Sequence, residues 1–132
     1  MDSGEFAEIV DQQLRLCSDV LVDKAREYAT EDRLHNFRVA AAIRDVPMKE
    51  VLGGMMVKHT VSIYDMIGSA ESYSLEQWSE KITDHMNYLI LLWAIVHEPP
   101  DRDTSNPELV QARDLGQAIA DYLQFPKKDE NA

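Results

Sequence analysis

The sequence of 132 residues contains a single cysteine, Cys17, which excludes an intramolecular disulfide and a cysteine zinc cluster. Basic residues are also scarce: 13 lysines and arginines stand against 24 acidic residues, for a net charge of −11. Binding to a nucleic-acid backbone needs clustered lysine and arginine, so the composition argues against duplex nucleic acid as a partner. It argues equally against docking on an anionic membrane surface.

Long hydrophobic runs are absent as well. The longest run, residues 88–96, is far shorter than the roughly 20 residues that a bilayer span needs. The acidic N-terminus has no apolar run behind it, so it does not resemble a signal peptide. We therefore expect a cytoplasmic protein with no membrane partner. Its acidity is compatible with a cation site or with a basic protein partner.

What the sequence does contain is helical periodicity along nearly its whole length. Hydrophobic residues make up 45% of the chain, which is enough for one core, and no segment alternates as a strand would. We expect an all-α fold, a bundle of four to five helices in a single domain over residues 1–124, with a flexible tail over 125–132. The predicted helices span residues 6–28, 34–43, 48–67, 75–97 and 107–124.

Apolar spacing also predicts which helix faces turn inward. Helix 48–67 is apolar nearly all round, which predicts burial on most sides, and Gly53-Gly54 within it would be compensated by close packing against a neighbour. From Leu89 onward, helix 75–97 is apolar on every face, as in a helix at the centre of a fold or in an oligomer interface. The predicted inward stripes are Phe6, Val10, Leu14, Cys17, Leu21, Lys24 and Tyr28 on the first helix, and Leu75, Trp78, Ile82, Met86, Leu89, Trp93 and Val96 on helix 75–97.

Two carboxylates on helix 75–97 form the first candidate site. Glu80 and Asp84 are four residues apart and share a helix face, which Asn87 continues. This spacing can hold Mg²⁺, which prefers oxygen ligands, although a solvated helix face has the same pattern. Because the stripe runs into a fully apolar segment, we expect Asp84 and Asn87 to be partly enclosed.

A second candidate group lies on helix 48–67, where Lys58, Ser62 and Asp65 share one face among methionines and β-branched residues. Buried charges are costly unless they are paired or bound to a ligand. The group is therefore either a structural ion pair or a site in which Lys58 faces a substrate phosphate and Asp65 joins the metal site. His59, beside this face, is more typical of a core residue than of a ligand.

A third group surrounds the predicted break between the first two helices. Acidic and amide side chains at such a break commonly cap free backbone groups. The alternative is substrate recognition, with Asn36 bonding a base edge, Tyr28 or Phe37 stacking on it, and Glu31 or Asp32 completing a metal shell. The group comprises Glu27, Tyr28, Asp32, His35, Asn36 and Phe37.

In this order the three groups resemble a known pattern: Glu27-Tyr28, then His-Asn-Phe at 35–37, then Lys58 on a helix, then Glu80 and Asp84 leading to Asn-Tyr at 87–88. The pattern is similar to that of small all-α phage and bacterial proteins allied to the MazG-like nucleoside triphosphate pyrophosphohydrolases and the nucleotide-modification-associated proteins. The likeness covers residues 20–96 and consists of short motifs.

The resemblance implies a MazG-like bundle that forms a homodimer or higher homo-oligomer in the cytoplasm, which for a phage-encoded protein is that of the host. It implies an enzyme that splits a nucleoside triphosphate into monophosphate and pyrophosphate, with Mg²⁺ as cofactor. Glu80 and Asp84 would bind the metal and, with Asp65, form the catalytic carboxylates. Glu27 and Glu31 would complete the metal shell, although they are four residues apart where the family has Glu-x-x-Glu.

The same resemblance implies that a nucleotide is the small-molecule partner. Its binding residues would be Lys58 at the phosphates, together with Asn87, Tyr88, Asn36 and Tyr28. Two other hypotheses remain open from the sequence. One is a non-enzymatic acidic accessory protein of phage type that binds and blocks a basic protein partner. The other is a structural helical oligomer with residues 89–96 at its core.

Overall fold

The computed structural model describes residues 1–28, 32–99 and 106–123, and the side chains of Lys24, Glu27 and Tyr28 fall outside that description. No strand occurs in these ranges, so the all-α prediction is confirmed. A π-helical segment, Asp19–Lys24, joins the first two helices. The helices are α1 (Ser3–Ser18), α2 (Ala25–Tyr28), α3 (His35–Arg44), α4 (Met48–Gly68), α5 (Leu75–His97) and α6 (Pro107–Tyr122).

Side-chain caps fix the starts of α5 and α6. The Ser74 hydroxyl accepts a hydrogen bond from the Gln77 amide at 3.1 Å, and the Gln77 side chain accepts one from the Ser74 amide at 2.9 Å. This is the capping box that the sequence predicts. Asn106 Oδ1 likewise accepts from the Glu108 amide at 3.0 Å, directly before Pro107.

The helices pack as a row in the order α1, α5, α4, α3, α6, by their main contacts. One buried cluster, Leu34, Leu52 and Ile95, lies between the start of α3 and the helices α4 and α5. A second cluster, of Ala42, Leu109 and Ala112, joins α3 to α6. Because a row leaves the outer faces of its members without a covering helix, the core of this chain is small for its apolar content.

Helices α3 and α6 approach each other closely at Gly116. A Cβ atom built on Gly116 would lie 1.8 Å from the Ile43 carbonyl oxygen and 2.6 Å from its carbon. Only glycine permits this separation, because any side chain would collide with backbone rather than with a movable group.

Burial on α1 and α5 contradicts the predicted inward stripes. On α1 only Cys17 of the predicted stripe is fully buried, while Phe6, Val10 and Leu14 are exposed. On α5 the contacts with the rest of the chain are made by the other side of the helix, where Thr83, Asn87 and Ile95 are buried. The apolar spacing correctly identified a continuous face but could not say what covers it. The exposed members on α5 are Leu75, Ile82, Leu89, Trp93 and Val96.

Burial on α4 also differs from the prediction of a helix covered on most sides. Val51, Leu52 and Met66 are buried, whereas the apolar residues of the opposite side lie exposed: Met55, Val57, Val61, Tyr64 and Ile67. A Cβ on Gly53 would meet nothing within 4 Å, and one on Gly54 would meet only the Arg44 guanidinium at 3.8 Å. The expected close packing at this glycine pair is therefore wrong. No helix in the described ranges has the length and apolar character needed to cross a bilayer.

Candidate functional site

The polar contacts between α4 and α5 centre on His59. Its Nδ1 lies 3.9 Å from Asp84 Oδ2, and its ring packs on that of Tyr88 with the centroids 4.7 Å apart. One residue further along each helix, Thr60 Oγ1 and His85 Nε2 are hydrogen-bonded at 3.1 Å. Two parallel polar contacts thus join the helices, and they place a carboxylate, two imidazoles and a phenol side by side.

Burial lowers the pKa of His59, because enclosure disfavours the charged imidazolium. Asp84 acts in the opposite direction, but the neighbouring Lys58, His85 and Lys81 add to the lowering. His59 is therefore mainly neutral at pH 7, and its contact with Asp84 is not a full ion pair. A neutral imidazole beside a carboxylate can accept a proton.

Two lysines supply positive charge at the same place. Lys81 Nζ binds Glu80 Oε1 at 2.9 Å, and this hydrogen bond, with the nearby charges of Glu80 and Asp84, raises the pKa of Lys81. Lys58 is exposed on α4, close enough to act on the His59 charge. The site therefore combines carboxylates with ammonium groups, a combination that suits a cation bound together with an anion.

The predicted carboxylates differ in their exposure and in their partners. Asp84 keeps 42% of its side chain exposed and meets His59, so its partial enclosure is confirmed, whereas Glu80 is 63% exposed and turned to Lys81. Asp65 is exposed on α4, as is Lys58, so the expected burial of charge on that face is wrong. The reason is that none of the described helices covers this side of α4, so both side chains remain in contact with water.

Asn87 lies on the buried side of α5, one turn beyond Asp84, as the sequence predicted. Its Oδ1 is enclosed and has no hydrogen-bond partner within the described part of the chain. A neighbouring buried polar group is satisfied, since Gln13 Nε2 of α1 donates to Thr83 Oγ1 at 2.7 Å. Leaving a buried acceptor unbonded lowers the stability of the fold by about 1–3 kcal/mol. Packing alone therefore does not explain an asparagine at position 87.

Asp32 and Phe37 of the third predicted group stabilise the fold. Asp32 Oδ1 accepts from the Leu34 amide at 2.9 Å, and Arg38 joins Asp32 to Glu98 with contacts of 3.0 and 3.1 Å. Burial raises the pKa of Asp32, but the hydrogen bonds from Arg38 and Leu34 outweigh it and hold the pKa below its usual value. Capping, the first of the two interpretations of this group, therefore accounts for Asp32. Phe37 packs on the Leu34, Leu52 and Ile95 cluster.

The described members His35 and Asn36 lie on α3 and take part in none of the contacts of the His59 site. His35 Nε2 lies 3.3 Å from Glu108 of α6, and Asn36 is exposed on α3. The predicted residues Glu27, Tyr28 and Glu31 lie outside the described side chains. Within the described residues, no three of the histidine, cysteine, aspartate and glutamate side chains are grouped closely enough to hold a metal by themselves.

Sequence reasoning missed Lys81 and His85 and treated His59 as a core residue. The available signal was spacing, because Lys81 and His85 follow Glu80 and Asp84 by one position each and share a neighbouring stripe of α5.

Sequence reasoning also missed a cavity of about 680 Å³ where α3, α4, α5 and α6 meet. Lys49, Arg113, Ile95 and Leu109 are among its lining residues, and none of the predicted site residues lines it.

Comparisons with protein-family models, with curated proteins and with solved structures gave no match to this chain.

A pH titration of stability should report the enclosed state of His59. Its pKa is lowered in the fold, so folding disfavours the protonated ring, and stability should fall as the pH drops below about 6.5 towards the folded pKa. We expect the melting temperature to fall less between pH 7.5 and pH 5.5 in His59→Gln than in the wild type. Equal losses in the two proteins would contradict the assignment.

Proposed function

We propose that this chain is a Mg²⁺-dependent, nucleoside triphosphate pyrophosphohydrolase-like protein that binds ribo- or deoxynucleotides between α4 and α5. The observation that carries the proposal is the meeting of Asp84 with His59, flanked by Lys58 and Lys81. A carboxylate suits a hard cation, and ammonium groups suit phosphates. Together they match the two charged parts of a metal–triphosphate substrate.

The donor set fits magnesium. Mg²⁺ in such enzymes keeps several waters, shares the substrate's phosphates and needs only one or two carboxylates from the protein. Asp84 would supply one, and Glu80, one turn before it, would supply a second if Lys81 bound phosphate instead. Glu27, Glu31 and Asp65 remain predicted contributors. When bound, the ion lowers the pKa of water and polarises the phosphoryl oxygens.

Side chains of the protein would accept the proton, hold the base in place and neutralise the phosphates. In the overall reaction, water adds to a phosphorus, the bond between the α-phosphorus and its bridging oxygen breaks, and monophosphate and pyrophosphate leave. Neutral His59 would accept the proton of the attacking water at a ring nitrogen, with Asp84 stabilising the imidazolium that results. Tyr88, packed on the His59 ring, would hold its orientation, while Lys58 and Lys81 would neutralise the phosphates.

One further feature supports a polar ligand at this part of α5. The enclosed Asn87 Oδ1 would gain its missing donor from a bound ligand, which would remove the cost of leaving it unbonded. Asn36 and Tyr28 remain predicted nucleotide contacts. The proposal further places the protein in the cytoplasm, where nucleotides are available, and includes a homo-oligomeric state.

The test is pyrophosphate release from a panel of ribo- and deoxynucleoside triphosphates with Mg²⁺. We expect at least one nucleotide to be turned over, and Asp84→Asn to lower the rate by about 100-fold or more. Asp114→Asn is the matched control, because Asp114 is an exposed carboxylate on α6 outside the site. Its rate should equal that of the wild type.

Thermal shifts with nucleotide and Mg²⁺ locate the ligand. Stabilisation should be lost in Asp84→Asn and kept in Arg113→Gln, which alters the separate cavity near α6. If stabilisation is instead kept in Asp84→Asn and lost in Arg113→Gln, the nucleotide binds in that cavity, and the site between α4 and α5 is wrong. If neither pyrophosphate release nor a thermal shift is observed, the alternative function is favoured. In that alternative the protein is not an enzyme, and its net charge of −11 serves to bind and block a basic protein partner.

A further inference from the structure

The cavity of about 680 Å³ lies between the two buried clusters of the fold. Ile95 of the first cluster forms part of its wall, and so do Ala42 and Leu109 of the cluster that joins α3 to α6. A volume of this size is within the range of roughly 300–1,000 Å³ that is usual for sites of small organic molecules. We call it the inter-cluster cavity, and it is bounded by Ala42, Ile95 and Leu109 together with Lys49 and Arg113.

Most of the wall of the inter-cluster cavity is apolar. Ala42, Ile95 and Leu109 are themselves buried residues of the core. An apolar ligand body in contact with these walls would join the two clusters into one continuous core, and it would gain the dispersion contacts that close packing provides. The wall therefore favours a ligand whose larger part is hydrocarbon or aromatic.

The charged residues of the lining favour an anion at one end of that ligand. Three cations and two carboxylates line the cavity, an excess of one positive charge in a chain whose net charge is −11. Arg38 and Glu98 are paired with each other at 3.1 Å. Lys49 of α4 and the half-buried Arg113 of α6 have no ion pair or side-chain hydrogen bond within the described residues. The remaining carboxylate is that of Asp45, in the turn before α4.

The beginning of α4 adds to this attraction for an anion. Pro47, Met48 and Lys49 all line the cavity, and no side chain caps the helix at Pro47. The first amides of a helix have no partner within the helix, and the helix dipole makes this end partly positive. An anion beside Lys49 would therefore meet backbone donors as well as the ammonium group.

We propose that the inter-cluster cavity binds a small amphipathic carboxylate, with its carboxylate group at Lys49 and Arg113 and its apolar body between Ile95 and Leu109. The planar fork of an arginine matches the two oxygens of a carboxylate. One excess positive charge suits a monoanion, whereas a dianion such as a phosphate monoester would be repelled by Asp45 and Glu98. This site is separate from the proposed nucleotide site, because no residue of the latter lines the cavity.

The test is a titration of the full ¹⁵N-labelled chain with decanoate, followed by NMR. We expect saturable shifts of the amide signals of Ala42, Ile95 and Leu109, with a dissociation constant of about 1 mM or lower. Acetate has the same charged group without the apolar body, and decyltrimethylammonium has the same body with the opposite charge. Both should bind at least about tenfold more weakly, because each lacks one of the two parts that the cavity recognises.

Three variants test the charged end of the cavity. Arg113→Gln should weaken decanoate binding by about tenfold, because it removes a hydrogen bond between charged groups. Arg15→Gln makes the same chemical change on α1, where Arg15 pairs with Asp11, and should keep the wild-type affinity. Asp45→Asn should tighten binding by about threefold, because it removes a repelling carboxylate. Asparagine tolerates the left-handed backbone of this position, where φ is 52°, and tighter binding cannot result from a loss of fold.

The proposal is overturned if decanoate causes no saturable shifts, or if the shifts centre on residues outside the cavity. Equal affinities for decanoate and decyltrimethylammonium would show that only the apolar walls bind, and tighter binding of decyl phosphate would assign the cavity to a dianion. Either result contradicts a carboxylate site, as does an unchanged affinity in Arg113→Gln. All titrations are made without nucleotide and Mg²⁺, and Asp84→Asn should bind decanoate as the wild type does. Their failure is therefore separate from that of the proposed activity.

Discussion

Replacing Gly116 by alanine should lower the free energy of unfolding by about 3 kcal/mol or more. The new Cβ would lie 1.8 Å from the carbonyl oxygen of Ile43, and neither of these backbone groups can move without separating α6 from α3. Separation would open the cluster of Ala42, Leu109 and Ala112, which holds the two helices together. A loss of this size should lower the melting temperature by roughly 10 °C.

Gly53→Ala is the matched control for this substitution. Gly53 lies inside α4, and a Cβ there would meet nothing within 4 Å. Alanine should therefore stabilise the protein by up to about 1 kcal/mol through helix propensity alone. Urea unfolding of both variants measures the difference. Equal stability of Gly116→Ala and the wild type would show that α3 and α6 can separate freely, and the packing described above would then be wrong.

Replacing Leu52 by alanine should cost about 3 kcal/mol, within the range for buried leucines. Leu52 is 0% exposed and lies between Leu34 and Ile95, so its truncation leaves a cavity where α3, α4 and α5 meet. Tyr88 and Phe37 pack on the same cluster, so they cannot fill the space without leaving their present contacts. Tyr88 also packs on His59, so we expect the substitution to loosen the candidate site as well.

Leu115→Ala provides the comparison for Leu52→Ala, since Leu115 is 53% exposed on α6 and undergoes the same chemical change. Its effect should stay within about 0.5 kcal/mol. Both variants are measured by urea unfolding, and the slope of each transition shows whether unfolding remains two-state. A cost for Leu52→Ala no larger than that for Leu115→Ala would contradict the cluster as the centre of the fold.

The local structure of this chain was largely predictable from the sequence. Helix periodicity located α3 to α6 to within a few residues, and Ser74 with Gln77 and Asn106 with Pro107 marked two helix starts correctly. These features depend on residues three or four apart in the chain, so their physical cause is contained in short stretches of sequence.

The candidate site was predictable in part. Glu80, Asp84 and Asn87 could be placed on one helix, and the enclosure of Asp84 and Asn87 followed from the apolar residues around them. The meeting of Asp84 with His59 could not be predicted, because it depends on the register between α4 and α5. The contact of Glu80 with Lys81 could not be predicted either, because different rotamers of a long exposed side chain reach different partners.

The sequence by itself determined the helices, their caps and the existence of an apolar stripe along α5. Only the tertiary structure decided that this stripe lies outward and that Gly116, rather than Gly53 or Gly54, is the glycine at a close helix contact. The physical reason is that periodicity describes one helix, whereas burial depends on which other helix lies against it. A row of helices leaves faces uncovered that a closed bundle would bury, and no pattern within a single helix distinguishes the two arrangements.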